Sequence, residues 1–251
     1  MNIKSPLHLY YKNKLSQSPL FSELSDKTLD KMLGQFHHIT WNKGVVRDVS
    51  VPSPCFYLII EGRVKIECVD ASSGSHAILS LLGAGDGFDV ISLLDGLPHE
   101  TIPTALDDVS LLCAPMQTVR DWINCHPAFN RTFLPYLGEY MRNMESLATD
   151  LAMTDTGTRL ARLVLRHTTL TASTEKPHHQ VRLIHDLSHE SLAHMIGSTR
   201  QVVNKHLQAL RHQGILDEHS RHLVVSELKK LEEKAGVLYH QSIRALPKKP
   251  E

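Results

Sequence analysis

The 251-residue sequence predicts an α+β chain: a small all-β sandwich or barrel, then one long helix, then a compact unit of short helices and a hairpin. Three observations predict it. Between residues 39 and 115, short apolar runs are divided by turn residues about every ten positions, the spacing of an all-β fold. From Leu137 to Leu151, apolar residues recur at a/d spacing instead. From Asp186 to Leu216, two helical patterns flank a glycine in DLSHESLAHMIGSTRQVVNKHLQALRHQGIL.

Composition narrows the class. At 41% hydrophobic and 22% charged residues, this is the make-up of a soluble globular chain. No run approaches the ~18 apolar residues of a membrane span. The opening MNIKSPLHLYYKNK has no signal-peptide core, so the cytoplasm is expected. Net charge is zero but uneven: residues 1–154 hold 12 Lys+Arg against 17 Asp+Glu, and residues 155–251 hold 15 against 10. The basic half suits a polyanion. Cys55, Cys68, Cys113 and Cys125 are widely spaced without a CxxC pair, the pattern of reduced structural thiols rather than a zinc or iron–sulfur site.

The elements follow in order. Leu20, Phe21, Leu24, Leu29, Met32 and Leu33 form a helical stripe, with Ser25 as cap for a helix over Asp26–Phe36. Strands are expected at Ile39–Trp41, Val45–Val49, Phe56–Ile60, Val64–Val69, Ala77–Leu82, Thr101–Ala105 and Val109–Cys113. Glu61-Gly62 reads as a hairpin turn between two of them, and Gly83-Ala84-Gly85-Asp86 as another turn. His126-Pro127 opens the long helix, with a regular start or a kink near Leu134 because Pro135 lacks an amide proton. Its seam is Leu137, Tyr140, Met144, Leu147 and Leu151. Thr154–Gly157 is a hinge, Thr158–Leu170 an amphipathic helix, Thr171–Gln180 a polar loop and Val181–Ile184 a short strand.

The glycine-divided helices carry the functional signal. Ser188 is a good N-cap, and Leu192, Met195 and Ile196 give the first helix an apolar face. Gly197 stands where the chain must reverse with φ > 0. Ser198 and Thr199 offer the cap of the second helix, whose Val203, Leu207 and Leu210 point inward. Its other face bears Arg200, Gln201, Asn204, Lys205 and Gln208. Arg and Lys donate to guanine O6 and N7, while Asn and Gln bond adenine in both directions. Gly214 ends the element; Ile215–Glu218 and His222–Val225 form a hairpin, and Ser226 caps a last helix over Glu227–Ala235.

Residues 186–225 resemble the winged helix-turn-helix of the cyclic-AMP receptor and fumarate-nitrate regulator (CRP/FNR) superfamily. Gly197, Thr199, Arg200, Gln201 and Val203 match its G-x-[ST]-R-[EQ]-x-[VI] pattern. The resemblance extends over about residues 20–235. It implies a jelly-roll sensor of cyclic-nucleotide-binding type at 1–126, a dimerisation helix at 127–154, a winged helix-turn-helix at 155–235 and a tail at 236–251. The partners implied are a second copy of the chain, double-stranded DNA with a palindromic operator and, in activating relatives, RNA polymerase near Thr171–Gln180. Arg200, Gln201, Asn204 and Lys205 would read bases; Ser188, His189 and Thr199 would hold phosphates.

The family's phosphate cassette pairs Gly-Glu with a later Arg. Here Asp89-Val90 and Glu100-Thr101 stand in those places, so the expected pocket repels a cyclic phosphate, and cyclic AMP or GMP bound in the usual manner is not expected. On the dimer helix, Met144 and Glu145 replace the two hydroxyl residues that touch the base in nucleotide-binding relatives. The N-terminal cysteines of iron–sulfur relatives are missing. Haem stays open, with His37, His38, His76, His99, His126 or a cysteine as axial ligand. The rival from another class is a cupin-type metal enzyme, disfavoured because His37-His38 lacks the His-x-His spacing of such sites. A regulator without catalysis is therefore expected, its effector unassigned.

Overall fold

A computed structural model describes residues 6–47, 55–168, 179–219 and 222–236. The chain divides into two compact units, 1–147 and 148–251.

In the first unit, α1 (Pro6–Gln17) precedes α2 (Asp26–Leu33), whose N-cap is Ser25 as expected. Leu20, Phe21 and Leu24 are buried on turns between them rather than on a helix. The strands are β1 (His37–Trp41), β2 (Cys55–Glu61), β3 (Val64–Val69), β4 (His76–Leu82), β5 (Gly87–Phe88), β6 (Ile102–Ala105) and β7 (Val109–Pro115). A short helix α3 (Val90–Asp95) follows β5, α4 (Met116–Cys125) follows β7, and α5 (Pro127–Met153) leaves the sheets. Two antiparallel sheets result, ordered β1-β7-β2-β5 and β4-β3-β6.

This topology corrects the hairpin expected at Glu61-Gly62, because β2 and β3 belong to different sheets. The segment is a corner instead. Gly62 takes φ +86, and a Cβ there would lie 2.7 Å from the Asp108 carbonyl oxygen. Arg63 fixes the corner by a two-pronged pair to Asp107, at 2.7 and 2.8 Å. Of the strand expected at Val45–Val49, Val46 makes one isolated bridge to Thr104, and residues 48 and 49 lie outside the described residues. Helix α5 runs through Pro135, so it does not start near Leu134; only one main-chain donor is lost at that position.

Strand β2 is apolar on both faces because it is covered on both. Phe56, Leu58 and Ile60 join the core made with α1, α2, α4 and the start of α5, where Phe21, Trp122, Phe129 and Phe133 also pack. Ile59 joins a second core with Val64, Ile66, Phe88 and Leu111, against which Tyr57 and Trp41 lie half-buried. Tyr57 and Phe88 stack at 4.8 Å. The Tyr136 hydroxyl, on α5, donates to the Gly87 carbonyl (3.0 Å) and accepts from its amide (3.1 Å). That clamp ties β5 to α5.

In the second unit, α6 (Thr156–Arg166), α7 (His189–Ile196) and α8 (Arg200–His212) pack together, with α9 (Leu228–Lys234) on α6. A sheet of β8 (His179–Gln180), β10 (His222–Val225) and β9 (Leu216–His219) forms the wing. The strand expected at Val181–Ile184 does not form: Leu183 takes φ +59, and the Ile184 amide closes a tight turn on the Arg182 carbonyl. Glu227, not Ser226, stands at the N-cap position of α9. The helix expected to reach Leu170 ends at Arg166. Residues 169–178, most of the polar loop near which polymerase contact was expected, lie outside the described residues, as do residues 237–251 of the tail.

Candidate nucleic-acid interface

The helix pair is built by its caps. The Ser188 hydroxyl accepts the Ser191 amide at 3.1 Å and starts α7. Gly197 turns the chain with φ +59, ψ +53, and the Ser198 amide returns to the Ala193 carbonyl at 3.0 Å. The Thr199 hydroxyl then accepts the Val202 amide and starts α8. Val203, Leu207 and Leu210 are buried, which rotates Arg200, Gln201 and Lys205 into solvent and leaves Asn204 half-buried. His189, Arg200, Gln201 and Asn204 line one concavity. The arrangement thus brings four of the expected DNA contacts together. Lys205 lies one position further along the exposed face, while Ser188 and Thr199 each spend an acceptor lone pair on their caps, and the Ser188 hydroxyl also contacts the Ser191 hydroxyl at 3.0 Å.

The base of this unit rests on charges that the sequence reading missed. Asp150, 8% exposed near the end of α5, pairs with Arg162 of α6 and lies 3.6 Å from Arg166. Arg162 also donates to the Ala235 carbonyl at 2.8 Å, which holds α9. The available signal was Arg162 and Arg166 at i, i+4 on a helix with an otherwise apolar face.

Between α5 and α6, Asp155 caps α6. Its carboxylate accepts the Gly157 amide (2.8 Å), the Thr158 amide (3.1 Å) and the Thr158 hydroxyl (2.6 Å). These bonds, the hydroxyl's first, hold its pKa below the ordinary carboxylate value. The stability it adds is therefore complete above the unfolded-state pKa and is lost as pH falls through the folded one. Asp155→Ala is expected to lower stability by about 1 kcal/mol at pH 7. The gap from the parent chain should close in acid, below about pH 4, as read by urea unfolding across pH.

In the sensor unit, Asp89 carries φ +64 and pairs with Arg47, whose guanidinium lies 5.7 Å from the Tyr57 ring centroid. Val90 is buried beside it on α3. Thr101 is buried and contacts His99 Nδ1 at 3.1 Å; Glu100 is exposed and its charge reaches Cys68. Arg47 is a further residue the sequence reading missed. The histidines considered for haem are dispersed: His38 contacts Ser110 at 3.0 Å and His76 lies 3.6 Å from Glu67. Among the described residues, no three His, Cys, Asp or Glu side chains converge as a metal site.

The expected dimer seam splits. Leu137 packs on the sensor core, and Tyr140 lies near Cys68, its pKa raised first by burial. Both serve their own unit. Met144 and Leu147 are half-buried and Leu151 is exposed. The large apolar residues that α5 leaves open in the sensor unit are Leu134 (61% exposed) and Met141 (62%), one heptad apart. The sequence pattern could not separate the two stripes, since each follows a helical period.

Two family models match: "Cyclic nucleotide-binding domain" over residues 47–126 and "Crp-like helix-turn-helix domain" over 158–234. A CRP-like cAMP-activated global transcriptional regulator of Mycobacterium tuberculosis is 25% identical over 222 residues, covering 88% of this chain and 98% of that protein. A global nitrogen regulator of Synechocystis is 30% identical over 163 residues, covering 64% of this chain and 71% of its own. Among solved structures, FixK2 of Bradyrhizobium japonicum superposes with a TM-score of 0.67 at 19% identity, covering 79% of this chain and 96% of that one. A CooA mutant of Carboxydothermus hydrogenoformans gives 0.66 at 21%, covering 82% and 90%. With a sensor of jelly-roll type, a long helix and a winged helix-turn-helix in one order, this chain belongs to the CRP/FNR superfamily of transcription regulators.

Proposed function

We propose that the protein is a dimeric, sequence-specific regulator that binds a palindromic operator in double-stranded DNA. The observation that carries this reading is the N-terminal end of α8, where both caps are made internally and Arg200, Gln201 and Lys205 stand free beside Asn204. That end is the one a helix-turn-helix inserts into the major groove. His189, Ser188 and Thr199 border it and are assigned to phosphates. Pairing of two copies through α5, along the stripe of Leu134 and Met141, would set two such helices about 34 Å apart, one DNA turn. The cytoplasm is the compartment this activity requires, and no described helix is long and apolar enough to cross a membrane.

The sensor is assigned a signal other than a cyclic nucleotide. Asp89 puts a carboxylate at the cassette and already holds Arg47, so a phosphate there would compete with an internal ion pair.

The test begins with operator selection from random duplexes. Arg200→Ala should then weaken binding of the selected duplex by about 1–3 kcal/mol per half-site and relax preference at one base position. Unchanged affinity and preference would refute the assignment of α8 as the reader.

A further inference from the structure

Four cysteines are present, and two of them meet. Cys55 pairs in register with Pro115, and Tyr57 with Cys113, so Cys55 and Cys113 lie diagonally on one face of β2 and β7. Their thiols are hydrogen-bonded to each other. Cys113 is buried and Cys55 half-buried, so a small reagent reaches Cys55 first. Arg47 and Asp89 both lie close enough to act on Cys55.

We propose that Cys55 and Cys113 are a redox site of the sensor, closing to an intramolecular disulfide by exchange with a small-molecule disulfide of the glutathione class. The Cys55 thiolate attacks one sulfur of the reagent, forms a mixed disulfide and expels one thiolate. The Cys113 thiolate then attacks Cys55 Sγ and expels the second. The two protein protons pass to the two leaving thiolates, so one disulfide is reduced to two thiols as one disulfide forms. Burial raises the pKa of both thiols, while Arg47 works the other way on Cys55; the exchange is accordingly slow and suits a sustained shift in redox balance.

Closure has a mechanical consequence. Diagonal Cα atoms sit about 7–8 Å apart, whereas a disulfide spans about 4.4–6.8 Å, so the strands must shift by about 1 Å. The irregular register of β2 between Ile59 and Glu61 gives that strand room to slide. Tyr57, between Cys55 and this irregularity, is stacked on Phe88, and Phe88 follows Gly87, which Tyr136 clamps to α5. A shift at the thiols therefore reaches the helix assigned to dimerisation. The strain also keeps the bond easily reduced, as a reversible switch needs.

The experiment treats the full chain with oxidised glutathione and reads intact mass, peptide linkage and hydrogen exchange. The expected product has lost about two mass units, with Cys55 linked to Cys113, and is restored by dithiothreitol. Exchange at the Gly87 amide should rise at least fivefold on closure. Cys55→Ser and Cys113→Ala, each folded by circular dichroism, should abolish the link and the exchange change, while Cys68→Ser and Cys125→Ser leave both. A stable glutathione adduct on Cys55 without closure, or linkage of any other pair, overturns the proposal, as does a closed bond with unchanged exchange at Gly87. Only the dimerisation role of α5, and through it any effect on DNA binding, rests on the function proposed above. If the bond closes and exchange changes but selected DNA is bound by neither form, the DNA-binding reading fails while the redox site stands.

Discussion

Asp150→Ala is expected to lower the stability of the C-terminal unit by about 3–5 kcal/mol. The carboxylate is the anion between Arg162 and Arg166, and its removal leaves Arg162 partly buried beside the Ala235 carbonyl without its counter-charge. The loss exceeds that of an exposed pair, which is about 0–1 kcal/mol, because Asp150 has little water to fall back on. Asp150→Asn keeps the volume and one acceptor and should cost less than the alanine. Adding Arg162→Met to Asp150→Ala should recover part of the loss by removing the stranded charge. Calorimetry of the full chain reads these effects as a shift in the transition of residues 148–251, with the sensor transition unmoved. If Asp150→Ala and Asp150→Asn both stay within about 0.5 kcal/mol of the parent, the ion pair is solvated and ordinary.

Periodicity could mark Arg162 and Arg166 but not the carboxylate that pairs with them, whereas the reader itself was legible. Ser188, Gly197, Thr199 and the inward Val203, Leu207 and Leu210 are local signals: each cap or turn depends on residues within one helical turn. Six of the seven strands expected between residues 39 and 115 were legible for the same reason, with limits within two residues of expectation, whereas the strand expected at Val45–Val49 is one isolated bridge among its described residues and that at Val181–Ile184 does not form. Partners distant in sequence were not legible. Gly62 looks like a hairpin glycine until Asp108 and Val109 are found against it, and the switch of sheet at that corner is set by contacts about forty-five residues away. Asp89 shows the same limit. Its acidity was visible in the sequence, but the cation it holds, Arg47, lies forty-two residues upstream with no spacing rule to reveal it. In α5 the limit is different: the helix carries two apolar stripes, and the a/d count followed one whose Leu137 and Tyr140 pack on the helix's own unit while Leu151 is exposed, leaving Leu134 and Met141 unmarked.

Gly197→Ala carries the second large effect, about 2–4 kcal/mol, and it has two separable causes. The first is conformational: φ +59, ψ +53 is left-handed helical backbone, which costs a residue with a Cβ about 1–2 kcal/mol. The second is steric. A Cβ at Gly197 would sit 2.7 Å from Leu151 Cδ2, and overpacking adds about 1–3 kcal/mol where the neighbour cannot yield. Leu151 is 45% exposed, so its side chain has some freedom to turn away, which places the steric share toward the low end. Combining the substitution with Leu151→Ala should therefore restore about 1 kcal/mol and leave the conformational share intact, a coupling that a double-mutant cycle of urea unfolding measures directly. Because the turn fixes the angle between α7 and α8, the same substitution should weaken binding of selected DNA more than stability alone predicts at a temperature where the variant is fully folded. Strict additivity in the cycle would remove the steric cause, and full recovery by Leu151→Ala would remove the conformational one.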